Sequence, residues 1–174
     1  MNKLFLLLFL MPFGLFAQSY TKTVDVPGKD AVMLYNKAKG WFAESFNTPG
    51  SVPPTEDAAQ RKLTCRESVT SMIYWNEVAV SFKTSFLLIL SFKDGQYKYE
   101  FDNIMVDRGQ KIALSTFKNG TTREGTIEMY KAAGQKTPSN KTIESNIEYS
   151  VKIVNKVDAE LNRLIDSLAD KMMN

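Results

Sequence analysis

Histidine is missing from the 174-residue chain and cysteine occurs once. Without histidine there is no Ser-His or Cys-His nucleophile pair and no imidazole general base, and nearly every kind of protein zinc site is excluded. The lone Cys65 can neither close an intrachain disulfide nor assemble a metal cluster. It alternates with Leu63, as a small buried hydrophobe does and a reactive thiol does not. No GxGxxG or Walker-type loop is present; "GKDAV" at Gly28 lacks the further glycines and the Ser/Thr and simply opens a helix. No cofactor and no metal are expected. The charge bias is slight, a formal +3 without a basic run, which argues against nucleic acid and anionic lipid as partners.

The N-terminal "MNKLFLLLFLMPFGLFAQ" has one lysine, about ten apolar residues and a small residue, the layout of a secretory signal peptide. Residues 1–17 are read as that signal, cleaved after Ala17, with Gln18 where a lipoprotein would need cysteine. The apolar run falls short of the roughly 20 residues a bilayer span requires, and no later stretch is long enough, so an integral membrane protein is not expected. Export without disulfides suits a bacterial periplasm or cell surface. Residues 18–174 have the length of a single domain with its own core.

"TKTVDV" predicts a first strand, ended by Pro27-Gly28. Asp30 is the expected N-cap of a helix in which Ala31, Leu34, Tyr35, Ala38, Trp41, Phe42 and Phe46 recur at helical spacing, until Asn47 and Pro49 stop it. Gly40 costs such a helix about 1 kcal/mol relative to alanine, which points to a close approach of another backbone there. Three prolines make residues 47–60 a loop with at most a short edge strand. "RKLTCRESV" and "SMIYWNEVAVSF" alternate as strands. The second puts Met72, Tyr74, Val78, Val80 and Phe82 on one face and Trp75, Glu77, Ala79, Ser81 and Lys83 on the other.

The next stretch, "FLLILSFKDGQYKYEF", predicts a hairpin about Asp94-Gly95, the pair preferred by a type I′ loop. Pairing outward from the turn sets Phe92 against Tyr97, Leu90 against Tyr99 and Leu88 against Phe101 on a wholly apolar face. The other face is mixed, pairing Ser91 with Lys98, Ile89 with Glu100 and Leu87 with Asp102. A one-residue slip would exchange the two sets, so burial sets the register.

Residues 108–137 form a variable segment: Ile112 and Leu114 alternate briefly, Asn119-Gly120 signals a turn, and "TIEMYKAA" predicts a short helix. From residue 138 onward Ile143, Ile147, Val151, Val154, Val157, Leu161, Leu164, Ile165, Leu168 and Met172 make one helical stripe. Such a helix would reach roughly 50 Å, against a five-stranded sheet about 20 to 25 Å across. Part of it is therefore expected to overhang. Val154, Val157, Leu161, Leu164 and Leu168 are also heptad-spaced, so a homodimer through this helix stands beside packing on the protein's own sheet. The economical assembly is α+β: an antiparallel sheet of about five strands, in β-α-β-β-β-β-α order, with helices on one face.

That order, with "VPGKDAVMLYNKAKGWFAESF" after an export signal, resembles a family of secreted bacterial proteins known only as a domain of unknown function with a fold like the TATA-box-binding protein. The pattern falls on Tyr35, Asn36, Lys37, Ala38 and Trp41, then on the strands through Asp107, covering roughly residues 20–107. The proline-rich loop after Phe46 departs from it. The resemblance implies the fold and the exported location, and no site residues.

Functionally, the expectation is a non-enzymatic binding or interaction module of the bacterial envelope, its partner a protein or glycan. The candidate surface is the outer sheet face, with Trp75, Lys83, Ile89, Lys98 and Glu100 among Ser81, Leu87 and Ile104. A competing reading has residues 107–137 covering this face. Two further classes stand beside these: a homodimeric structural protein, and a hydrolase using Glu77, Glu100 and Asp102, since paired carboxylates about 5 to 9.5 Å apart cleave glycosides. Trp41 suits sugar stacking, but its helical spacing favours the core.

Overall fold

A computed structural model describes residues 20–46 and 53–174. The elements are β1 (Tyr20–Asp25), α1 (Ala31–Ser45), β2 (Thr55–Asp57), β3 (Lys62–Trp75), β4 (Val78–Lys93), β5 (Gln96–Asp107), β6 (Lys111–Ala113), α2 (Leu114–Asn119), α3 (Arg123–Ala132) and α4 (Asn140–Met173). The strands pair antiparallel in the order β1-β5-β4-β3-β2, and β6 continues along β5 past the end of β1. Helices α1 and α4 pack on one face, and α2 and α3 pack on α4. This is the expected α+β architecture, with β6, α2 and α3 inserted before the last helix. The signal sequence read at residues 1–17 and the helix stop read at Asn47 and Pro49 lie outside the described residues.

The hairpin adopts the expected register, with Phe92 opposite Tyr97, Leu90 opposite Tyr99 and Leu88 opposite Phe101. All six of these side chains are buried, and burying them is what drives α1 and α4 onto this face. The turn differs in type. Only Gly95 has a positive φ, 75°, whereas a type I′ loop needs it at both positions. Asp94 is engaged elsewhere: its carboxylate accepts the Ala31 N–H at 2.9 Å, while Asp30 accepts the Met33 N–H at 2.7 Å. Two carboxylates thus satisfy amides left open at the start of α1. The Gly95 N–H donates to the Lys29 carbonyl at 2.8 Å, and the Val26 N–H to the Gly95 carbonyl at 2.7 Å, tying the hairpin to the β1–α1 loop.

At the far end of the sheet the expected strand through "SMIYWNEVAVSF" is instead a second hairpin. Asn76 and Glu77 have φ of 48° and 64°, the paired positive values of a type I′ loop, and Trp75 faces Val78. The four expected strands after the proline-rich loop therefore merge into three long ones. The fold-back sorts faces differently: odd positions of β3 share a side with even positions of β4. Ile73 and Ser71 are buried with Phe82, whereas Met72 and Tyr74 point outward, 48% and 63% exposed. Trp75 lies on the helix side, its ring 5.1 Å from that of Tyr149 on α4.

A bulge displaces one further residue. Leu87 faces Asp102 and Ser85 faces Met105, so Asn103 and Ile104 together oppose Phe86, with Asn103 at φ 47°. The extra residue inverts the alternation of β5. Val106 is buried and Ile104, expected on the outer face, packs against the core.

The long strands also remove the expected overhang of α4. Strands of 14 and 16 residues reach roughly 46 to 53 Å at 3.3 Å per residue, matching a 34-residue helix of about 51 Å. Val157, Leu161, Leu164 and Leu168 are buried in the protein's own core, so the heptad stripe has no apolar seam left for a partner helix. Trp41 is likewise core, 2% exposed, donating its Nε1–H to Ser167 Oγ at 3.1 Å. Nor does another backbone approach Gly40: a Cβ there would meet only Lys171 Cε, at 3.8 Å.

Candidate functional site

Among the described residues no element covers the outer face of the sheet, since α2 and α3 pack on α4 on the other side. That excludes residues 107–137 as its lid. Along β3 the outward positions are Thr64, Arg66, Ser68, Thr70, Met72 and Tyr74; along β4 they are Ala79, Ser81, Lys83, Ser85, Leu87, Ile89 and Ser91. The surface is hydroxyl-rich and crossed by a few charges.

The bulge gives this face its relief. Two adjoining hollows, of about 250 and 200 Å³, share Arg66, Ser85 and Lys111. Phe86, Leu87, Asn103 and Met105 complete the first, and Glu67, Ser68, Lys83 and Asp107 the second. Three strands supply the cations: Arg66 from β3, Lys83 from β4 and Lys111 from β6, whose partner Asp107 also faces Lys83. Met105 and Asp107 point outward only because Asn103 shifts the alternation ahead of them.

None of the three cations makes an ion pair within 4 Å or a side-chain hydrogen bond with a described residue. The nearby carboxylates are partly committed. Asp107 accepts the Gly109 N–H at 2.9 Å and Asp102 the Asn103 N–H at 2.7 Å. Glu67, at the rim of the second hollow, is raised above the ordinary carboxyl value by burial, opposed by the Ser68 N–H and the charge of Lys83. Elsewhere cations are spent: Lys39 pairs with Glu56 at 2.8 Å and Lys171 with Glu44 at 2.6 Å. Uncommitted positive charge beside serine hydroxyls and a carboxamide is suited to an anionic, hydroxylated ligand.

Of the residues singled out from sequence, Lys83 lines a hollow. Ile89, Lys98 and Glu100 share the open face but lie toward the Asp94-Gly95 turn, where Lys98 and Glu100 neutralise each other at 3.1 Å. Trp75 is on the opposite face, because the Asn76-Glu77 turn reverses the chain immediately after it. Of the three carboxylates weighed for hydrolysis, Glu100 and Asp102 lie two positions apart on the open face of β5, the first paired with Lys98 and the second accepting the Asn103 N–H, and Glu77 is far from both. Glu77 sits in that turn, whereas Glu100 faces Ile89, twelve positions along β4 from the turn, or roughly 40 Å at 3.3 Å per residue.

Arg66, Ser68, Ser85, Asn103 and Lys111 were not among the expected site residues. Arg66 and Ser68 carried a signal, since they alternate with Leu63 and Cys65 and so had to face away from the core. Lys111 carried none, its place depending on the bulge.

Comparisons with known proteins agree with the architecture. A family model described as a domain of unknown function (DUF4468) with TBP-like fold matches residues 20–107. Among solved structures, the chain is similar to a DUF4468 family protein from Bacteroides ovatus. The TM-score is 0.59 and the identity 12%, covering 90% of this chain and 86% of that one. It is also similar to a TBP-like protein from Parabacteroides distasonis, with TM-score 0.56 and 9% identity, covering 87% and 92%. At such identities the likeness is one of fold. No curated protein matches the chain.

Proposed function

We propose, from the premise that the chain belongs to the DUF4468 family with a TBP-like fold, that it is a non-enzymatic binding module of the bacterial envelope. It recognises an acidic glycan on its open sheet face. The observation that carries this reading is the pair of hollows around Ser85, where Arg66, Lys83 and Lys111 have no ion-pair partner within 4 Å among the described residues. A carboxylated sugar would bring the missing charge, and Ser68, Ser85 and Asn103 would meet its hydroxyls. Leu87 and Met105 offer the apolar patch on which a ring face rests.

Export is supported by the N-terminal sequence and is tested by mass spectrometry of the envelope-associated protein, whose first residue should be Gln18. No helix among the described residues is long and apolar enough to cross a membrane.

The binding test is calorimetric titration of the purified protein with polygalacturonate, neutral dextran and duplex DNA. Polygalacturonate should bind, more weakly as salt rises, and dextran should not. Arg66→Ala combined with Lys111→Ala should abolish the heat, while Lys98→Ala should leave it unchanged. Binding that survives the double substitution, or tighter binding of duplex DNA, would overturn the proposal.

A further inference from the structure

We propose that the exposed edge of β3 pairs with the same edge of a second copy of this chain, in an antiparallel ladder whose two-fold axis passes through Thr70. This does not depend on the ligand reading. Only Lys62, Leu63 and Thr64 of the 14-residue β3 are paired on that side, by β2, so the edge from Cys65 to Trp75 has no strand partner among the described residues.

The directions of its hydrogen-bonding groups follow from the turn. A two-residue loop at Asn76-Glu77 makes Trp75 and Val78 the bonded pair, and alternation then turns the N–H and C=O of Tyr74, Met72, Thr70, Ser68 and Arg66 away from β4. The Tyr74 carbonyl accordingly accepts Lys152 Nζ at 3.0 Å instead of facing its neighbour strand. Thr64, the next in this series, faces Thr55 of β2.

The free stretch matches itself. Five outward-facing residues are centred on Thr70, and a two-fold there sets Arg66 against the partner's Tyr74, Ser68 against the partner's Met72, and Thr70 against the partner's Thr70. Moving the centre one residue toward the N-terminus would set Tyr74 against Thr64, which β2 already occupies. The only charges in the stretch, Arg66 and Glu67, meet no like charge in the central register. Arg66 instead comes over an aromatic ring. Met72 and Tyr74, exposed large apolar side chains at this end of the sheet, would be covered by Ser68 and Arg66 of the second copy. An edge this long without a partner is a template for pairing unless it is guarded. The guard in place is Lys152, which occupies the last carbonyl and pairs with Glu148 at 3.1 Å.

Sedimentation velocity from micromolar to millimolar concentration provides the test. The protein should pass from one chain to two. Thr70→Lys, which sets two ammonium groups across the axis on an exposed position, should keep it monomeric and folded, its melting temperature lowered only by the few degrees that a like charge opposite Lys83 costs. Thr70→Pro, which removes an outward N–H, should do the same. Lys152→Met, freeing the Tyr74 carbonyl, should lower the concentration of half-association several-fold. A wild type that stays monomeric throughout would overturn the inference, including the case in which another segment of the chain already covers the edge and protects the Arg66–Tyr74 amides from hydrogen exchange. So would a dimer that persists in folded Thr70→Lys.

Discussion

The two ends of the sheet share β3 and β4 but are built to different standards, since β5 pairs with β4 only from Lys83 onward. Around Asp94-Gly95, β5 and β3 are flanked by β1 and β2, the core is Leu, Phe and Tyr, and the turn is bonded to α1. Around Asn76-Glu77 the edge has no strand partner among the described residues, Met72, Tyr74 and Val78 are exposed, and the buried layer includes Ser71 and Thr84. The hydroxyls of Ser71 and Thr84, and Trp75 Nε1–H, have no hydrogen-bond partner among the described residues. A buried polar group left unpaired costs about 1–3 kcal/mol, so the far end is the weaker half. Tyr97 OH, at the near end, also has no partner among the described residues, and burial pushes its pKa up to about 12.

The largest expected effect belongs to the near end. Leu90→Asp puts a charge at a position with no exposure and should cost more than about 4 kcal/mol, leaving no cooperative thermal transition. Its neighbour Ile89→Lys, on the open face opposite Glu100, should cost about 1 kcal/mol or less. Equal losses would break the assignment of faces.

Truncation compares the ends directly. Leu88→Ala should cost about 3–5 kcal/mol by chemical denaturation, and Ile73→Ala, at the rim of the far end, about 2 kcal/mol. A smaller gain comes from Thr84→Val, which deletes an unsatisfied hydroxyl while keeping the shape and should raise stability by about 1 kcal/mol. If Thr84→Val destabilises instead, a water or an unseen partner serves that hydroxyl.

The smallest effect depends on pH. Burial holds the folded-state pKa of Glu67 above its ordinary value, so the favourable contribution of this group is complete below the unfolded carboxyl pKa of about 4.3. It is lost as pH rises through the folded value. Glu67→Gln should therefore raise the melting temperature at neutral pH and leave it unchanged in acid. Lys83→Ala, which removes the opposing charge, should enlarge the difference.

The same contrast separates what was legible in the sequence from what was not. At the near end a turn dipeptide and strict alternation of large apolar residues specify register and faces together. At the far end Asn76-Glu77 is not a strong turn signature, because glutamate has no preference for a positive φ. A two-residue turn also preserves odd-even alternation, so the pattern runs on as if the strand were straight while the chain folds back on itself. Trp75 was misplaced for that reason, and the expected length of the sheet fell short for the same one. The Asn103 bulge adds a residue without any apolar marker, which hid Ile104 in the core and Lys111 at the hollows. Half of the open face could be listed from periodicity, but which residues converge there is decided by one irregular position.

Asp94 carries a consequence for the order of assembly. Its carboxylate lies in the hairpin turn, bonds the first amide of α1 63 residues away, and stands 3.9 Å from Arg61 at the entrance to β3. Closing a tight hairpin takes microseconds and little chain entropy, whereas bringing residue 31 to residue 94 is a long loop closure. The hairpin thus presents a finished anchor to a helix that must travel to reach it. Refolding of Asp94→Ala, which removes the oxygen that accepts the Ala31 N–H, should be slower than that of the unaltered chain by stopped-flow fluorescence.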